Sequence, residues 1–161
     1  MRLFHWTLVV CVIGNFALNE AGEKVHRWMG YTAAGVVVLR VLWGFFGSLH
    51  ARFSDFFPTP SRVTPYVKAL VRGKAPRMVG HNPVAAMMML TLMALVLGLG
   101  VTGYLLGTDA FWGDDTMKGM HDLVANALIA LVGVHALAAL IESIRHRENL
   151  VWSMVTGRKR E

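Results

Sequence analysis

Apolar residues run through this chain in four long stretches, 3–18, 28–46, 83–106 and 123–144, with charged and polar residues gathered between them. Each stretch approaches or exceeds the roughly 20 residues that a helix needs to cross a bilayer, the first being the shortest. The pattern predicts an all-α fold, an integral membrane four-helix bundle with spans at 3–19, 27–47, 82–107 and 121–145. These spans fill most of the 161 residues, leave little room for a soluble domain, and make one four-span domain of 1–161. No internal repeat is visible at periods of roughly 20 to 50 residues. The first stretch imitates a signal peptide, with Arg2 as charged flank and 8–13 as apolar core. It lacks a clean small-x-small site before Glu20, so it reads as a span.

The connections are informative in turn. Asn19-Glu-Ala-Gly-Glu is short, which makes the first two spans antiparallel neighbours. In the long loop 48–81, Phe-Phe-Pro-Thr-Pro is a poor helix former, but 61–72 is amphipathic. There Val63, Tyr66, Val67, Leu70 and Val71 oppose Arg62, Lys68 and Arg72. This predicts a short interfacial helix capped by Ser61 and stopped at Gly73, the alternative being a solvated basic loop. The third span opens at Gly80-His-Asn-Pro, with Pro83 in the first turn where its missing N–H costs little. It carries Met87, Met88, Met89 and Met93, which read as packing residues. Gly98, Gly100, Gly103 and Gly107 follow, where a helix or flat macrocycle can approach the backbone. The loop 108–118 is acidic and aromatic, Phe111 and Trp112 suiting an interface.

Composition sharpens the membrane reading: 55% of residues are hydrophobic and 16% charged. The net charge of +6 would suit nucleic acid, but its distribution excludes that partner. Basic residues gather at Arg2, in the 48–80 loop and in the tail from Arg145 onward. The other connections pair Lys24, Arg27 and Lys118 with Glu20, Glu23, Asp109, Asp114 and Asp115. By the positive-inside rule both termini are cytoplasmic, as four spans require, and the basic side faces the anionic headgroups of the membrane lipid. Cys11 is the only cysteine, which excludes an internal disulfide, a cysteine-based cluster and covalent haem attachment.

The chemistry lies in the histidines. His121 and His135 are fourteen residues apart in one apolar stretch. At 100° and 1.5 Å per residue they share a helix face and are separated by about 21 Å. Two imidazoles so placed are what two haems stacked across a membrane need. An intramembrane histidine is costly to desolvate and points to function, the alternative being an interhelical hydrogen bond. His26 opens the second span on the outer side and His5 the first on the inner side. The economical pairing is His26 with His121 for an outer haem, and His5 with His135 for an inner one. Arg40, fourteen residues after His26, lies at the inner depth and suits a haem propionate, or else snorkels. His50, His81 and His146 fall at the inner interface, where surface roles are commoner. His81, at a helix start with free N–H donors, is the best of these for a quinone headgroup or a propionate.

Arg2-Leu-Phe-His-Trp6, His26-x-x-x-Gly-Tyr31, Arg40-Val-Leu-Trp-Gly44, Gly80-His-Asn-Pro83, and His121-Asp-Leu-x-Ala-Asn126 with Val134-His135 together resemble bacterial cytochrome b561. That family is similar to the b-type cytochrome subunits of nickel–iron hydrogenases. The resemblance covers nearly the whole chain and implies a four-helix protein of the bacterial inner membrane. It also implies haem b bound through histidines matching His5, His26, His121 and His135, and electron exchange between the quinone pool and a redox partner.

Three functions compete. In the first, electrons pass through two haems b between quinone and a partner such as a periplasmic c-type cytochrome, which the acidic outer loop would dock. Bis-histidine iron has no open position, which suits electron transfer. In the second, suggested by some members of the resembled family, the chain is an enzyme oxidising superoxide and reducing quinone. Only Lys24, Arg27 and Lys118 would attract that anion, among acidic neighbours. In the third, it is the membrane anchor of a hydrogenase or dehydrogenase. Pairing of the chain with itself as a homodimer is compatible with each.

Overall fold

The computed structural model describes residues 2–47, 52–76, 82–145 and 147–156. Among these residues the chain is wholly helical: α1 (Arg2–Ala17), α2 (Lys24–Phe46), α3 (Phe53–Phe56), α4 (Pro60–Val71), α5 (Pro83–Leu105), α6 (Asp115–Arg145) and α7 (Leu150–Thr156). Three helices, α2, α5 and α6, are long and apolar enough to cross a membrane. The apolar α1 has 16 residues, about 24 Å of helix against a hydrocarbon core of about 30 Å. It stops two residues short of the expected 3–19 because Asn19 turns back on it, Nδ2 donating to the Gly14 carbonyl at 3.0 Å.

The long helices pack in chain order, α1 on α2, α2 on α5 and α5 on α6. Cys11, Ala33, Val37, Met93, Val96 and Leu128, drawn from α1, α2, α5 and α6, form one core cluster, with Val37 fully buried. Large apolar side chains cover the outside as well, among them Leu39, Leu42, Phe46, Val101, Leu123, Leu137 and Ile141. A soluble protein does not expose apolar surface on that scale. The solvent these helices are built for is lipid, and this is a membrane protein.

Helix starts follow local chemistry. Asn82 caps α5 by accepting the Ala85 N–H at 2.7 Å, and Pro83 stands in the first turn as predicted. Asp114 does the same for α6, its Oδ1 accepting the Met117 N–H at 2.8 Å. α6 therefore begins at Asp115, six residues before the expected span, inside what the sequence reading took for loop. α4 begins at Pro60 after Thr59, so Ser61 is an early helical residue whose hydroxyl meets that of Thr59 rather than serving as the cap. Gly73 ends that segment in a left-handed conformation at φ +69°.

The short elements dock on the long helices. Tyr66 of α4 is buried near Glu142 and Arg145 of α6; burial first, then the Glu142 carboxylate, pushes its phenol above the ordinary value, with Arg145 opposing. Arg145 Nη2 donates to the Ala75 carbonyl at 2.9 Å. α7 packs on α6 and is tied to α1 by Arg2 Nη1 on the Val155 carbonyl at 2.9 Å and Trp6 Nε1 on the Met154 carbonyl at 3.1 Å.

Candidate functional site

α6 carries His121 before its apolar stretch and His135 well inside it, and each faces a histidine from another helix. His121 meets His26 of α2 with ring centroids 6.3 Å apart and planes at 62°. His135 meets His5 of α1 at 6.4 Å and 52°. The depths match because α1 and α2 run antiparallel: His5 and His26 both stand near the starts of their helices, at opposite ends of the pair.

The spacing has a chemical meaning. A metal–imidazole bond of about 2 Å, with about 1 Å more to the ring centre on each side, sets trans imidazoles about 6 Å apart between centroids. Rings in plain contact stack or tilt over a range of separations, whereas here two independent pairs share one value. Among the described residues no group of three or more His, Cys, Asp or Glu side chains gathers to hold a bare metal ion. Two axial imidazoles suffice only where a macrocycle supplies the remaining donors, as in haem. The Nδ1 atoms of His5 and His26 are buried without hydrogen-bond partners among the described residues. That marks these rings as placed for something other than a protein hydrogen-bond network.

Surrounding residues hold the rings. Asn15 of α1 donates from Nδ2 to the His26 carbonyl at 3.0 Å, tying the first turn of α2 to its neighbour. On α5, Gly103 leaves space for His121: a β-carbon there would lie 3.3 Å from His121 Cε1. Thr102 Oγ1 lies 2.8 Å from His121 Nδ1. At the other end Trp6 sets its edge against His5, centroids 5.6 Å apart. Asn15 and Thr102, polar side chains within apolar stretches, were not singled out in the sequence, and Trp6 entered only as part of the Arg2–Trp6 motif.

Arg40 is 4% exposed. Its guanidinium lies over the rings of Phe53 and Phe56 of α3, 5.6 and 5.9 Å from their centroids, a cation–π arrangement that shields the charge from lipid. The structure thus gathers His5 with His135 and His26 with His121, and sets Arg40 against α3. His50, His81 and His146 lie outside the described residues.

Apolar helices that bring histidines together in two pairs define the class, a helical membrane protein with imidazoles from facing helices set against each other. Residues 1–157 match the prokaryotic cytochrome b561 family, and the chain belongs to it. Its function is electron transfer in the membrane on haem b. The chain is similar to proteins named as probable Ni/Fe-hydrogenase B-type cytochrome subunits. That of Bradyrhizobium diazoefficiens is 28% identical over 206 aligned residues, covering 99% of this chain and 83% of the relative. Those of Rhizobium leguminosarum bv. viciae (27%, covering 99% and 85%) and Rhodobacter capsulatus (25%, covering 99% and 78%) are comparable. No solved structure matches the chain.

Proposed function

We propose that this chain is a four-span cytochrome of the bacterial inner membrane, both termini cytoplasmic, that holds two haems b and passes electrons between the quinone pool and an outer redox partner. The observation that carries this reading is the two imidazole pairs set fourteen residues apart along α6, with near-equal separations of 6.3 and 6.4 Å. His26 and His121 hold the outer haem, His5 and His135 the inner one. When bound, haem b supplies a one-electron couple whose potential the surrounding protein sets. With each pair of histidines holding a haem, no position would be left open to a ligand from solution, so the protein's part is to fix orientation and keep water out. Arg40 supplies the positive charge for an inner propionate. His81, which lies outside the described residues and precedes Asn82 in the sequence, is assigned to a quinone headgroup or a propionate.

A second reading differs only in the partner. The relatives' names favour a nickel–iron hydrogenase as the electron donor, with this chain as its membrane anchor and outlet to quinone. Co-purification of a large iron–sulfur protein would support that partner, and reduction kinetics with a basic c-type cytochrome the other.

The decisive experiment is the haem-to-protein ratio of the detergent-purified chain by pyridine haemochrome, with a dithionite-reduced spectrum. Two low-spin haems b per chain are expected. One haem would remove one pair from the scheme, and none in a folded sample would end it.

A further inference from the structure

Which nitrogen of an imidazole carries the proton decides whether the ring can bind iron through the other. For His121 the structure supplies the information in the side chain of Thr102. A threonine hydroxyl has one proton and two lone pairs. In Thr102 that proton points back along α5, Oγ1 donating to the Gly98 carbonyl at 2.9 Å with a longer approach of 3.4 Å to Leu99. This is the bond a helical threonine commonly makes to the carbonyl one turn earlier. With the hydroxyl proton used on the Gly98 carbonyl, Oγ1 can only accept across the 2.8 Å to His121, which requires the Nδ1–H tautomer of the histidine. The chain of donors runs from His121 Nδ1–H to Thr102 Oγ1–H to the Gly98 carbonyl, and it leaves His121 Nε2 bare.

We infer that Thr102 is a positioning residue for the outer haem: it fixes the tautomer and rotation of His121 and raises the basicity of its Nε2. The inference rests on the reading of His121 as an iron ligand and adds to it a residue that sets the potential. Gly103, next to Thr102, admits the ring, and Thr102 holds it. Nδ1 of His26, opposite, and Nδ1 of His5 have no such partner among the described residues. A more basic ligand favours the oxidised iron, so Thr102 lowers the potential of the outer haem and leaves the inner one alone. Partners one step beyond a metal ligand change affinity or activity by about 10- to 100-fold.

The test is an optically monitored redox titration of the purified full-length chain as Thr102→Val, Thr102→Ser and His121→Ala. Thr102→Val keeps the shape and removes the hydroxyl. It should raise the oxidation–reduction midpoint of one haem by about tenfold in the oxidised-to-reduced ratio, about 59 mV for one electron, with the other haem unmoved. Thr102→Ser keeps the hydroxyl and should titrate like the parent. Loss of one haem in Thr102→Val with retention in Thr102→Ser would support the same role, since only the hydroxyl differs in kind. Unmoved midpoints in Thr102→Val, or equal shifts in both Thr102 variants, would overturn the inference. His121→Ala separates the two levels. If it loses one haem while Thr102→Val changes nothing, the inference alone fails; if it keeps both haems, the ligand reading fails and the inference with it.

Discussion

Gly100 of α5 and Ala34 of α2 touch so closely that a β-carbon built on Gly100 would lie 2.7 Å from that of Ala34. Neither group is the free end of a flexible chain, so the helices themselves would have to part. Gly98, one half-turn earlier, is different: a β-carbon there meets Val124 Cγ1 at an ordinary 3.7 Å. Alanine improves helix propensity at either site by up to about 1 kcal/mol. Gly98→Ala should therefore be neutral or slightly stabilising, whereas Gly100→Ala should be less stable than Gly98→Ala by about 1–3 kcal/mol of overpacking. Thermal melts of the two variants in one detergent check this. Equal melting temperatures would mean that α2 and α5 are further apart than described.

His135→Ala should remove the inner haem and spare the outer one. The two pairs share α6 but no side chain, and fourteen helical residues, about 21 Å, separate His121 from His135. The pyridine haemochrome ratio should fall to half, with one of the two titration steps lost. His26→Ala should remove the other step. Retention of both haems in His135→Ala would refute the inner pair.

The histidine pairs were legible because they depend only on arithmetic. Rise per residue sets the depth of His121 and His135, and a short turn after α1 makes α2 antiparallel, which sends His5 and His26 to opposite ends. Rotation about the helix axes is not written in that arithmetic. Thr102 reaches His121 only because the turn between α5 and α6 sets both helices at one particular roll, and no periodicity encodes it. Phe53 and Phe56 belong to a helix of four residues, too short for a pattern, so Arg40 was legible as a costly charge but its aromatic cover was not. Asp114 was visible and misread. An acid immediately before a helical run is a cap signal, but it lay in a loop rich in acids and was counted with them.

Trp6 ties the start of the chain to its end. Its indole N–H donates to the Met154 carbonyl while the ring edge meets His5. Trp6→Phe keeps an aromatic ring and removes the donor, at a net cost of about 1 kcal/mol. Hydrogen exchange over 150–156 should quicken as α7 loosens. Under the proposed scheme the inner haem should be lost more readily in detergent and the outer one unaffected. If exchange quickens and both haems hold equally, α7 clamps the chain without steadying His5.

Asp109 and Asp114, both between α5 and α6, do different things, and one pair of variants separates them. Asp114 is occupied: its carboxylate accepts the Met117 N–H at 2.8 Å and starts α6. Removing an N-cap costs about 1 kcal/mol, so Asp114→Ala should lower the melting temperature whatever the partner. Asp109 is exposed and stands outside the helices, so Asp109→Lys should leave the melting temperature in place. Its charge is available to a docking protein. If the outer partner is basic, as a c-type cytochrome would be, Asp109→Lys should slow reduction of that partner at low salt. The difference should vanish as the Debye length shrinks toward about 3 Å at 1 M salt. A rate insensitive to both Asp109→Lys and salt would separate the acidic turn from docking. It would move the search for the partner to a nickel–iron hydrogenase, the assembly that the relatives' names carry.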